Sequence, residues 1–218
     1  MQLINPFPIS QKPYSSNEIQ LADFSGENLP DLIQANAPLE LVEILTEEIS
    51  DHRLSSVFHE FLNNSKEYQD AKTLMPYLKD VPNIKDYRDK NLGFNSAIVD
   101  EEIRKCGVIL TTGQVLYHGG IWPRCNHAPN SGDKFELTRI FSTTLCPQVA
   151  AVHACNHKPH CIWIITVDAS PKTPVFVFNN KGQNLGHEAE VLFSTGATVT
   201  CESIKERNNF TIIEATIS

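Results

Sequence analysis

The spacing of apolar residues changes character near Gly113. Upstream it follows the helical period. Leu41, Val42, Leu45 and Ile49 recur at helical intervals, and Leu54, Val57, Phe58, Phe61 and Leu62 do so at i, i+3, i+4, i+7 and i+8. Tyr68, Ala71, Met75 and Leu78 predict a third helix, stopped near Pro76 or Pro82. A fourth is expected from Ser96 as N-cap, carrying Ile98, Val99, Ile103 and Cys106 and ending near Gly107. Residues 1–30, rich in Pro, Ser, Asn and Gln, have little periodicity and predict an extended arm.

Downstream the pattern is that of strands. Val115-Leu116-Tyr117 runs into His118-Gly119-Gly120, and after a loop over 123–133 a strand is expected at Lys134–Ser142. Pro147 opens a helix at its first position. Cys161–Val167 is β-branched and nearly all apolar, as a central strand requires. Val175–Phe178, Glu188–Phe193 and Phe210–Ile217 complete the set, with a Gly/Asn loop at 179–187. Helices first and strands after predict the α+β class.

Composition narrows the partners. With 218 residues, 41% of them hydrophobic, the chain can bury one good core. A formal charge of −8 argues against nucleic acid, which needs a basic face. No apolar run approaches the roughly 20 residues of a membrane span. The first residues lack the basic and apolar regions of a signal peptide, so a cytoplasmic site of action is expected, in the producing cell or in a cell that receives the protein by another route. Without that signal, the six cysteines are expected as free thiols. His153, Cys155, His157, His160 and Cys161, with Cys125 and His127 upstream, lack paired zinc-ligand spacing, and no metal is assigned.

The candidate chemistry lies in four short stretches. In Glu188-Ala189-Glu190-Val191-Leu192-Phe193, strand alternation would place both carboxylates on one face. Adjacent like charges push one pKa upward. A fold tolerates this where a substrate uses the charges or where the strand end is wet. The others are Val115–Gly119, ending in an aromatic, an imidazole and a glycine; Phe141-Ser142-Thr143-Thr144, a hydroxyl cluster before a helix; and the closing strand Asn209–Glu214.

In this order the stretches resemble mono-ADP-ribosyltransferases of the cholera-toxin-like class, over roughly residues 70–218. In that family a first-strand Arg, a Ser-Thr-Ser strand and a Glu-x-Glu strand build a cleft for NAD. This chain departs at the first position, where Tyr117-His118-Gly119 looks like the diphtheria-toxin-like class. The resemblance implies a split β-sandwich around an NAD cleft, preceded by a helical N-terminal region. It divides the chain into an arm with helices (1–65) and a catalytic domain (66–218).

It also implies roles. Glu190 would hold the ribose and stabilise its developing positive charge. Glu188 would act as general base toward the acceptor, with arginine the first expectation. Ser142 would fix the Glu190 rotamer, and Tyr117, His118, Gly119, Thr143 and Thr144 would line the nucleotide site. His118 is expected to donate to a ribose hydroxyl or phosphate, with Arg124 or Arg139 as alternative cations. Implied is an enzyme that uses NAD as substrate and modifies a target protein, as a bacterial toxin or effector. An NAD glycohydrolase and a catalytically weak binding module are the alternatives.

Overall fold

The computed structural model describes residues 1–47, 49, 53–89, 93–121, 129–168, 172–178 and 188–218. The expected arm is partly regular. A short strand β1 (Ile9–Ser10) pairs antiparallel with β2 (Gln34–Ala35), and between them lies helix α1 (Ser16–Ser25). Ser15 and Glu18 start α1 with a capping box. The helix buries none of its residues, so no apolar period announced it.

Helices α2 (Pro38–Glu47), α3 (Arg53–Asn64) and α4 (Lys66–Leu74) fall where the apolar spacing put them. Two corrections follow. A short helix α5 (Pro82–Arg88), opened by a proline in its first turn, was not foreseen. Helix α6 (Ser96–Cys106) is capped by Asn95, whose side chain accepts from Ala97 N at 3.0 Å, rather than by Ser96. Gly107 does end α6, but at φ −72. Its role is steric, because a Cβ there would lie 2.5 Å from Ile103 O and 2.7 Å from Val175 O.

The second half supplies strands β3 (Val115–Gly119), β4 (Lys134–Glu136), β5 (Phe141–Thr144), β6 (His160–Val167), β7 (Val175–Val177), β8 (Glu190–Phe193), β9 (Thr198–Arg207) and β10 (Phe210–Ile217), with helix α7 (Pro147–Ala154) after β5. The single strand expected at Lys134–Ser142 is two, because Leu137 leaves the ladder to exchange backbone bonds with Ala197 and Gly196. The sequence reading passed over β9. It forms a hairpin with β10 through Asn208 and Asn209, at φ 49 and 65, the left-handed pair that a two-residue turn favours.

Among the described residues eight strands form one sheet, ordered β4-β9-β10-β6-β3-β5-β8-β7, with β6 and β10 parallel and the other neighbours antiparallel. The α+β class expected from chain order is the one adopted. Strands β3 and β5 are joined by a single register pair, Tyr117 opposite Thr144. There the sheet splits into five strands and three.

Buried side chains of the helical region, Leu41, Leu54, Phe58 and Leu62, share one core with Leu116, Trp163 and Phe176, across the expected boundary at 65/66. A second cluster packs Ala150, Ala151 and Ala154 of α7 on Tyr117, Ile162 and Ile164. Helix α7 lies so close to β3 that a Cβ on Gly119 would sit 1.9 Å from Ala150 O. Among the described residues no helix is long and apolar enough to cross a membrane.

Candidate active site

A cavity of about 530 Å³ opens where β3 and β5 part. Every site residue expected from the sequence lines it: Tyr117, His118 and Gly119 from β3, Ser142, Thr143 and Thr144 from β5, and Glu188 and Glu190.

Glu190 is the most constrained of these. It is the first residue of β8 and pairs with Thr144, which puts Ser142 diagonally across on the same face. Ser142 Oγ donates to Glu190 Oε1 at 2.7 Å, the contact the sequence predicted. Tyr87 Oη donates to the same oxygen at 3.2 Å, and Arg88 Nη1 lies 3.7 Å from Oε2. The Glu190 side chain is only 12% exposed and that of Arg88 only 6%. Burial pushes the Glu190 carboxyl above its ordinary 4.5, while the Ser142 bond and the Arg88 charge pull it back down.

Glu188 reaches the cavity by another route than expected. It does not belong to β8, and strand alternation does not set its direction. Ala189, between the two carboxylates, is buried with φ 44, in the left-handed region. Backbone bonds hold it there: Ala189 O accepts from Leu145 N, and Glu188 O accepts from Thr144 Oγ1. A non-glycine residue at positive φ stores strain of about 1–3 kcal/mol and is found disproportionately at functional sites. Here it folds both carboxylates toward one cavity.

The β3 and β5 residues divide their duties. Thr143 Oγ1 donates to Val191 O at 2.7 Å, and Thr144 Oγ1 also accepts from Cys146 N at 2.9 Å, so both hydroxyls stitch the backbone. Gly119 borders the cavity, but its missing side chain admits α7. Tyr117 is buried, and its Oη finds no hydrogen-bond partner among the described residues. His118 Nδ1 lies 2.8 Å from Ser142 O. A carbonyl only accepts, so Nδ1 carries the hydrogen and Nε2 of the neutral ring is an acceptor. Burial depresses the His118 pKa to about 4, with His153 and His157 adding to the effect, so the ring is neutral at pH 7.

The sequence reading missed the helical wall. Tyr87 and Arg88 come from α5, Phe94 from the stretch before α6, and His153 from α7. The Arg88 guanidinium lies over the Phe178 ring at 4.5 Å, and Phe94 packs edge-on against Tyr87 at 5.3 Å. Of the cations considered from sequence, Arg139 is exposed and off the cavity wall. Arg124 and the loop at 179–187 lie outside the described residues. The signal for α5 was there in Pro82 at a helix start, with Ile84 and Arg88 one turn apart.

The chain is similar to ADP-ribosyltransferase toxins. The solved structures it resembles include the Vis toxin from Vibrio splendidus, at 18% identity over 85% of this chain and 88% of that one, with a TM-score of 0.40. C3larvin from Paenibacillus larvae matches at 15% identity over 71% and 94%, with a TM-score of 0.44. C3stau2 from S. aureus, solved with NAD, matches at 14% over 75% and 94%, with a TM-score of 0.42. No family model and no curated protein matches the chain.

The site holds a buried, braced carboxylate, a second carboxylate on the same cavity, one inward guanidinium and a neutral imidazole. That set suits a reaction in which positive charge develops on the substrate. Among the described residues no group of three or more His, Cys, Asp or Glu is placed to hold a metal ion. Cys125 and His127 lie outside them.

Proposed function

We propose that the chain is an NAD-dependent mono-ADP-ribosyltransferase that modifies a protein side chain, with arginine as the acceptor. One observation carries the reading: Glu190 is buried yet braced by Ser142, Tyr87 and Arg88 on the wall of a cavity of about 530 Å³. That volume is within the usual range of ligand sites.

The reaction breaks the bond between the nicotinamide nitrogen and ribose C1′. Nicotinamide leaves neutral with the bonding electron pair, and positive charge builds on the ribose. Ionised Glu190 accepts a hydrogen bond from a ribose hydroxyl and stabilises that charge. The acceptor guanidinium nitrogen bonds to C1′, and its proton passes to Glu188 as general base. Arg88 gives the cavity a fixed positive charge suited to a diphosphate. The place of action would be the cytoplasm of a recipient cell, where both NAD and target proteins are found, as befits a toxin or effector.

The test is to incubate purified protein with labelled NAD, first alone and then with agmatine or a cell extract. Label on agmatine or on protein supports the transferase. Free ADP-ribose alone makes the chain a glycohydrolase, and unconsumed NAD reduces it to a binding module.

A further inference from the structure

We propose that His118 is a positioning residue, which orients Glu190 through Ser142 and offers the nucleotide no hydrogen-bond donor. The inference deepens the reading above and rests on it. Continuing the β3–β5 register past Tyr117 and Thr144 would set Gly119 opposite Ser142, but the strands have already parted. Gly119 keeps only its pairing with β6 on the opposite edge of β3. Ser142 O, left facing the split, accepts from His118 Nδ1 at 2.8 Å. The Ser142 hydroxyl in turn donates to Glu190 Oε1 at 2.7 Å. A side-chain bond thus replaces the missing backbone pair and fixes the residue that holds the carboxylate.

The surroundings fit this role better than nucleotide contact. The ring is tilted against Phe141, with centroids 4.7 Å apart. His153 of α7 and His157 just beyond it are the titratable groups that act on the ring, and both disfavour its charge. Its one N–H is spent on Ser142, so it has no donor to offer a phosphate. The groups acting on Glu190 are Ser142 from β5, Tyr87 and Arg88 from α5, and Glu188 from the residues before β8.

Two variants separate the roles. His118→Asn keeps a donor for Ser142 O, and His118→Phe keeps the shape without one; His118→Leu replaces the latter if it does not fold. The measurements are steady-state kinetics with NAD and the Glu190 carboxyl titration by carbon-13 NMR, assigned with Glu190→Gln. The Phe variant should lose roughly tenfold to a hundredfold in kcat, with KM for NAD within about twofold. Its Glu190 should titrate at higher pH, because a loosened Ser142 bond supports the ionised form less. His118→Asn should restore most of both.

A Phe variant with raised KM and unchanged kcat would make His118 a nucleotide contact and overturn the proposal. An unmoved Glu190 titration, or an Asn variant no better than Phe, would do the same. If the wild-type protein consumes no NAD, the functional reading fails, while the titration still decides whether His118 acts through Ser142.

Discussion

The strand wall and the helical wall of the cavity grip the same carboxylate by different means. On the strand side a short neutral bond from Ser142 reaches Glu190 Oε1 at 2.7 Å. On the helical side α5 brings the Tyr87 phenol at 3.2 Å and the Arg88 charge at 3.7 Å. The hydroxyl bond at close range fixes the carboxylate's geometry and also supports its ionised form. The guanidinium at longer range adds a charge that favours the ionised form without holding the carboxylate in one geometry. Under the proposed mechanism Glu190 needs both, since burial raises its pKa and the chemistry needs it ionised. The strand wall aims the group, and both walls help to keep it charged.

Removing the shared group breaks both walls at once, so its effect should be largest. Glu190→Gln should lose about a hundredfold or more in both NAD hydrolysis and transfer. Near-normal nicotinamide release by this folded variant would exclude the residue from the mechanism.

Stripping only the charge from the helical wall comes next. Arg88→Met leaves the Ser142 and Tyr87 bonds but removes the charge that also opposes burial, so the Glu190 pKa rises further. In the proposed mechanism the ionised form is the active one, and activity is therefore lost as pH falls. In the wild-type protein the acid limb should lie above 4.5, and in Arg88→Met it should move higher still. At neutral pH the expected loss is roughly tenfold, partly recovered on raising the pH. A uniform loss at every pH would assign Arg88 to substrate binding alone.

The two carboxylates differ as the walls do, and Glu188→Ala sharpens that contrast. Its loss should fall on transfer, by roughly a hundredfold, and spare hydrolysis, because only the acceptor changes between them. Comparing agmatine labelling with free ADP-ribose in one preparation, alongside circular dichroism, measures both. Equal loss would place Glu188 on NAD.

The smallest effect concerns the residue that turns Glu188 toward Glu190. Ala189→Val puts a branched side chain at φ 44 in a buried position and should destabilise by about 1–3 kcal/mol. Chemical denaturation reads this directly. A neutral result would mean that the left-handed turn relaxes without cost.

The strand wall was legible in the sequence because each of its strands carries its polar residues in one short motif. Ser142 and Glu190 sit in short motifs at strand ends, and the family resemblance linked the two. The helical wall was not, for identifiable reasons. Helix α5 is seven residues long and buries only Ile84 and Arg88, too few to establish a period. A buried arginine reads as a surface residue until its partner is known, and that partner lies 102 positions away in sequence. Alternation was also a sound rule applied one residue too far. It holds from Glu190 onward, but Ala189 breaks it, so Glu188 reached the cavity for a reason the pattern did not contain. For β9 the alternation of Val199 and Cys201 with Thr200 and Glu202 was present and went unread.

The central claim is that this cavity binds NAD with its scissile bond against Glu190. A crystal structure of the Glu190→Gln variant with NAD, in which cleavage is suppressed, tests it most directly. The account predicts the nucleotide in the split between β3 and β5, with a nicotinamide-ribose hydroxyl within hydrogen-bond reach of residue 190 and the diphosphate near Arg88. NAD bound elsewhere, or a ribose turned away from residue 190 in an occupied cavity, would contradict it.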